Sequence, residues 1–195
     1  MSIYYHFYIA TAQASIRSLK RIYKWAVKQT VIPLQITDYI DKVNDFNATV
    51  IAKNINAADP RWLIANNKTL REFRWPIALG IPDLDKSINV IGFIAHNKDY
   101  YVHLGAGDNS WISFSQILPA QPYLIDANAE IDQWDIINDK SIQFSLQGYV
   151  PLDFSLANMQ GCQLEHNGQI LKTTDTNRYH IKDANNGAFK IHCTR

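Results

Sequence analysis

The feature that most constrains this chain is a change of period. From Asp59 onward, apolar residues recur at every second position in short runs, with turn-forming residues between them. In SIQFSLQ, the side chains of Ile142, Phe144 and Leu146 share one face of an extended strand. In NVIGFIAHNKDYYVHL, two apolar runs flank Asn97-Lys98-Asp99, and in CQLEHNGQILK the break is Asn167-Gly168. Both patterns predict hairpins. RYHIKDANNGAFKIHC carries the same signal at Asn185-Asn186-Gly187, and SIQFSLQGYVPLDFSL breaks at Gly148 and Pro151. Many short strands with turn chemistry between them predict an antiparallel β-sandwich or jelly roll over residues 59–195.

Residues 1–58 follow a different rule. Ile3-Tyr4-Tyr5 reads as a short buried strand, and the pattern from Ala10 to Ala52 is helical. Ile16, Leu19, Ile22, Tyr23, Ala26 and Val27 fall on one face at three- and four-residue steps. Arg17, Lys20, Arg21, Lys24 and Lys28 fall opposite, as a solvated helix face does. Pro33 stops this helix. Thr37 reads as the next N-cap, with Asp38 in the first turn. Tyr39, Ile40, Val43, Phe46 and Val50 continue at helical spacing. One strand and two helices cannot close a core alone, so this region needs partner strands and is expected to expose apolar surface. The polar stretch NINAADPRW, residues 54–62, marks the boundary. The fold class is therefore α+β.

The 195 residues are 47 % hydrophobic and 19 % charged, a globular balance. A net charge of +1 gives no general attraction to nucleic acid. No apolar run is long enough to span a membrane, and no signal peptide is visible at the N-terminus. Cys162 and Cys193 either pair in an oxidising compartment or remain as two buried thiols.

Candidate chemistry is sparse. His6 stands at the C-terminal end of the first strand, where α/β proteins place reacting groups, with aromatics around it that exclude water. The other reading is a core histidine bonded to backbone. His96 and His103 flank the first hairpin, but no third or fourth metal ligand accompanies them at a metal-site spacing. His166, His180 and His192 are scattered over the C-terminal strands. No nucleophile elbow or phosphate-binding loop occurs, and the carboxylates are dispersed. Trp62, Trp75, Tyr100, Tyr101, Trp111, Tyr123 and Trp134 are either core residues or platforms for sugar rings.

The segment IYYHFYIATAQASIRSLKRIYKWAVKQTVIPLQITDYIDKVNDFNATVIA resembles the end of the deacetylase domain of the PelA family. These are periplasmic enzymes that process the Pel biofilm polysaccharide. TLREFRWPIALGIPDLDKSINVIGFIAHNKDYYVHL resembles the start of the β-rich domain that follows it there. The resemblance covers residues 3–104 and continues as pattern only. It implies that residues 1–58 are the last strand and helices of an incomplete NodB-like, distorted (β/α) barrel, and that 59–195 are an accessory β domain. The chain would then be a C-terminal fragment of a polysaccharide N-acetyl deacetylase, acting on an N-acetylated aminosugar polymer in the periplasm or outside the cell. In that family a divalent metal such as zinc, held by an Asp and two His, activates water. A late-strand histidine protonates the leaving amine, and His6 matches it. Tyr5 and Tyr8 would line the sugar cleft, with Trp75 as a further sugar-binding residue. The aspartates and metal-binding histidines have no counterpart here, so the chain is expected to be inactive alone and to need the upstream part of the barrel. The alternative is a stand-alone carbohydrate-binding or structural β-sandwich module.

Overall fold

The computed structural model describes residues 11–26, 28–29, 32–56, 60–173 and 177–194. Tyr5, His6, Tyr8 and the strand expected at 3–5 lie outside the described residues. In chain order the elements are α1 (Gln13–Ala26), α2 (Ile36–Ala48), β1 (Val50–Asn54), β2 (Arg61–Ala65), β3 (Glu72–Pro76), β4 (Ile81–Pro82), β5 (Val90–His96) and β6 (Asp99–Leu104). They continue as β7 (Asn109–Ile112), β8 (Phe114–Ser115), β9 (Tyr123–Ala127), β10 (Glu130–Asn138), β11 (Ser141–Gln147) and β12 (Leu152–Ala157). The last are β13 (Cys162–His166), β14 (Gln169–Ile170), β15 (Arg178–Ile181) and β16 (Asn186–Cys193). The fold is α+β, with two α-helices and predominantly antiparallel sheets among the described residues.

Local chemistry places the turns. Asn97, at φ 56°, opens the two-residue turn of the β5–β6 hairpin, where His96 pairs Asp99. Asn167 and Gly168 have φ of 51° and 76°. This doubly left-handed pair matches the right-handed twist of strands and closes the β13–β14 hairpin. The Asn185-Asn186-Gly187 signal resolves differently. Gly187 lies inside β16, paired with Leu146 on β11, while the strand before the turn, β15, belongs to another sheet. The connection is thus a corner between sheets. The carbonyls of Ala184 and Asn185 accept bonds from Leu152 and Gly148, which anchors the corner to the β11–β12 connection.

The helical reading to Ala52 also changes at its end. Thr49 leaves α2 in an extended conformation, and Val50–Asn54 pair antiparallel with β2. Val50 and Ile51 are β-branched, which favours the strand once an edge is available. The helix starts one residue before Thr37. Its N-cap is Gln35, whose N–H donates to the Asp38 carboxylate 3.1 Å away.

The strands build two sandwiches that share one sheet. The shared sheet has the order β15-β12-β9-β5-β6-β3. The sheet β1-β2-β7 covers the β3/β6/β5 half, with Ile64, Trp75, Phe93, Val102, Leu104 and Ile112 between them. The sheet β10-β11-β16-β13-β14 covers the β9/β12/β15 half, around Phe144, Phe154, Phe189, Leu152, Leu164 and Ile191. The inward alternation of Ile142, Phe144 and Leu146 on β11 is as the sequence predicts.

The two halves meet at β5 and β9, the one parallel pairing among the described strands, registered at Gly92 and Leu124. Residues 97–122 form the intervening return path, long enough for a parallel connection. A β-bulge between Val90 and Gly92 supplies an extra residue, Ile91. Val90 and Phe93 pack in the first core, whereas Ile91 packs in the second. A side chain on Gly92 would start 1.9 Å from the Leu124 carbonyl oxygen, so the crossing depends on glycine.

Candidate functional site: a cleft across the seam

On β3, β6 and β5 the side chains of Phe73, Trp75, Tyr100, Val102 and Phe93 face the covering sheet. The alternate residues, Glu72, Tyr101, His103, Ile94 and His96, instead line a cavity of about 660 Å³. That volume lies within the roughly 300–1,000 Å³ of small-molecule sites. Ile91, Leu104 and Leu124 add apolar surface, Asp126, Glu130 and Ile131 come from the second half, and Ile32, Leu34 and Lys42 from the helical region. The cleft therefore spans the seam between the two sandwiches.

His103 is buried and ties three strands together. From β6 its Nε2 lies 2.7 Å from the Ile125 carbonyl on β9, and its Nδ1 lies 3.3 Å from Glu72 Oε2 on β3. A doubly protonated ring donates to both oxygens, a neutral ring to one. Tyr101 meets His96 edge-on, with ring centroids 6.2 Å apart. Arg71 Nη1 donates to the carbonyls of Gly105 and Gly107, at 3.2 and 3.4 Å. Burial lowers the proton affinity of this guanidinium, and the carboxylates of Glu130 and Asp45 oppose that shift.

One wall is fixed by α2, through its polar face. Tyr149 Oη donates to Asp38 at 2.7 Å. Lys42 Nζ pairs with Glu130 at 2.6 Å and donates to the Thr69 carbonyl. The Asp45 carboxylate accepts from both the N–H and the hydroxyl of Thr69. Residues 38, 42 and 45 form one stripe at steps of four and three. The opposite, apolar stripe faces outward, with Ile36 and Phe46 each 71 % exposed and Tyr39, Ile40 and Val43 also exposed. On α1, Ile22, Tyr23 and Trp25 are exposed too, and the helix has no buried residue.

Thr69's hydrogen bonds, led by its hydroxyl, hold the Asp45 carboxyl below the ordinary value of 3.8 against the opposing effect of burial. The folded value is depressed, so the stabilisation is complete above the unfolded value and lost as pH falls through the folded one. Amide protection across residues 36–48, taken relative to the intrinsic exchange rate at each pH, should fall on acidification below about pH 4. Asp45→Asn should show the reduced protection already at pH 7, with a loss of about 1–3 kcal/mol in helix docking. Unchanged protection in Asp45→Asn would show that Thr69 does not anchor the helix.

Trp75, expected on a sugar-binding surface, is instead a core residue, only 5 % exposed. Its ring lies between Trp62 and Phe114, at centroid distances of 5.0 and 5.8 Å, which leaves no free face for a pyranose. Trp134 packs on Phe144, and Tyr123 stacks on Phe93. His166 stacks on Phe189 and bonds the Ala188 carbonyl. His180 faces Asp153 at 3.7 Å, and His192 faces Glu165 at 3.8 Å.

Among the described residues, no group of three or more His, Cys, Asp or Glu is placed to hold a metal ion. No helix of the described residues is long and apolar enough to cross a membrane. The cleft has an apolar floor, an aromatic wall and a rim of charges. Tyr101 and His103 alternate along one strand that the sequence predicts, but nothing in the sequence pairs that strand with Glu72. The spacing of Asp38, Lys42 and Asp45 was visible as one face of a helix. No family model matches the chain, and neither the curated proteins nor the solved structures give a match.

Proposed function

We propose that this chain is the C-terminal part of a polysaccharide N-deacetylase, with α1 and α2 as the last helices of its catalytic barrel and the β body meeting the polymer. The observation that carries the reading is the orientation of α2. A helix held to its own protein by Asp38, Lys42 and Asp45, with Ile36, Tyr39, Ile40, Val43 and Phe46 turned outward, is built to be covered by something else. The resemblance of residues 3–104 to the PelA-type enzymes supplies the identity of the cover. In the enzymes it resembles, the upstream part of the barrel holds the divalent metal, and His6 is the residue this chain adds to the reaction, as the acid that protonates the leaving amine. Tyr5 and Tyr8 flank it at the sugar. A periplasmic or extracellular setting accords with the Cys162–Cys193 disulfide.

The test is association with the product of the coding sequence immediately upstream, measured by sedimentation velocity. A complex that forms with the native chain and is lost with Phe46→Asp supports the reading. A chain that stays monomeric in that mixture contradicts it. The second reading, a stand-alone carbohydrate-binding module, is favoured by the cleft, and glycan binding without any association with the upstream product would select it.

A further inference from the structure

Charge is unevenly placed along the chain. Residues 1–37 carry five of its 19 basic residues and none of its 18 acidic ones, so the remainder is net acidic although the whole carries +1. Four of the five, Arg17, Lys20, Arg21 and Lys24, lie on α1 at three- and four-residue steps, and Lys28 follows one turn later. The helix turns this stripe to solvent. All five residues are exposed, whereas Ile16, Leu19 and Ala26 on the other side of α1 are partly buried. Among the described residues no carboxylate pairs with any of the five, and their one side-chain hydrogen bond is from Arg17 Nη2 to the neutral Gln13 side chain at 3.3 Å. Like charges at these steps repel one another and weaken a helix. Trp25, 52 % exposed, stands beside the stripe, four residues after Arg21 and three before Lys28.

A straight stripe of unpaired cations, bordered by an exposed indole, matches a plane of anionic headgroups. We infer that α1 docks the protein on an anionic lipid surface, with Arg17, Lys20, Arg21, Lys24 and Lys28 over the headgroup phosphates and Trp25 seated at the interface. Charge complementarity selects the occupant. A small anion meets two of these side chains at a time, whereas a lipid surface meets all five and relieves their mutual repulsion. The indole is amphipathic and settles at headgroup depth. The net acidic remainder of the chain is repelled by the same surface, which orients the molecule with α1 toward it. The docking uses the basic face of α1 and leaves the apolar face to the barrel, so neither reading requires the other.

The test is co-sedimentation of the full chain with vesicles of phosphatidylcholine alone and with vesicles containing one-third phosphatidylglycerol. The chain should bind the anionic vesicles in preference to the neutral ones, and added salt should weaken that binding. Each basic residue near such a surface strengthens binding about fivefold, so Lys20→Gln combined with Lys24→Gln should weaken it about 25-fold. Glutamine forms helix as well as lysine does, so α1 persists in this variant, and circular dichroism checks it. Tryptophan emission should shift to the blue on the anionic vesicles, and Trp25→Phe should remove the shift. Equal binding of neutral vesicles would assign the affinity to exposed apolar residues and overturn the proposal, as would no binding to either or full affinity in the double glutamine variant. A shift retained in Trp25→Phe would overturn the seating of Trp25. A DNA duplex bound as tightly as the vesicles at equal phosphate and salt would overturn lipid as the occupant. None of these outcomes depends on association with the upstream product, so the two readings fail separately.

Discussion

Gly92→Val should separate the two sandwiches. The added side chain would start 1.9 Å from the Leu124 carbonyl oxygen and 2.7 Å from two further backbone atoms of the same residue. No rotamer change relieves a clash between a Cβ and a backbone, so β9 must move away from β5. The expected cost is about 3 kcal/mol or more, at the upper end of overpacking effects. Its form is as informative as its size. Each half has its own core, one around Val102 and Ile112 and the other around Phe144 and Phe154. Breaking the seam should therefore split a single thermal transition into two. Because His103 bonds Ile125 across that seam, its protection from exchange should fall together with that of β9. Wild-type unfolding of Gly92→Val would show that β9 does not cross β5 at this point.

Reducing the Cys162–Cys193 disulfide should be the second large effect. The two residues face each other on neighbouring strands β13 and β16 and lie 31 positions apart in sequence. In the chain-entropy account, releasing a loop of this length costs about 3–4 kcal/mol. For a chain of this size, that corresponds to a fall in Tm of about 10 °C. The loop contains β14 and β15, and β15 belongs to the shared sheet. The bond therefore holds the corner that joins the two sheets of the second sandwich. Thermal scans with and without reductant, with thiol labelling to confirm cleavage, measure the effect. A fully labelled protein that melts at the oxidised temperature would contradict it.

These two effects also separate what the sequence made legible from what it did not. The hairpins at Asn97 and Asn167 were legible because a left-handed turn is encoded within a few residues. The inward face of β11 was legible because burial alternates with strict period two. The corner at residues 182–185 was not. The same turn residues serve a hairpin and a change of sheet, and only the partners of Leu152 and Gly148 distinguish them. The parallel seam at Gly92 was hidden for a similar reason, since a lone glycine in an apolar run does not name the backbone that approaches it. The aromatic platform was misplaced at Trp75 because a buried tryptophan and a sugar-stacking one look alike in a sequence. Tyr101, one position beyond Trp75's cross-strand partner Tyr100, faces the cleft because the pleat turns it to the other side. The inverted docking of α2 was present as a pattern at Asp38, Lys42 and Asp45. Amphipathicity alone, however, predicts that the apolar stripe is the one that docks.

The most direct measurement is acetate release from N-acetylated aminosugar polymer, with a divalent metal supplied and the chain mixed with the product of the upstream coding sequence. The account predicts release only in the mixture. It predicts a loss of about two to four orders of magnitude with His6→Ala, the usual worth of a general acid, and loss of activity with Phe46→Asp through failed assembly. Release by the upstream product alone at the full rate, or undiminished release with His6→Ala, would contradict it.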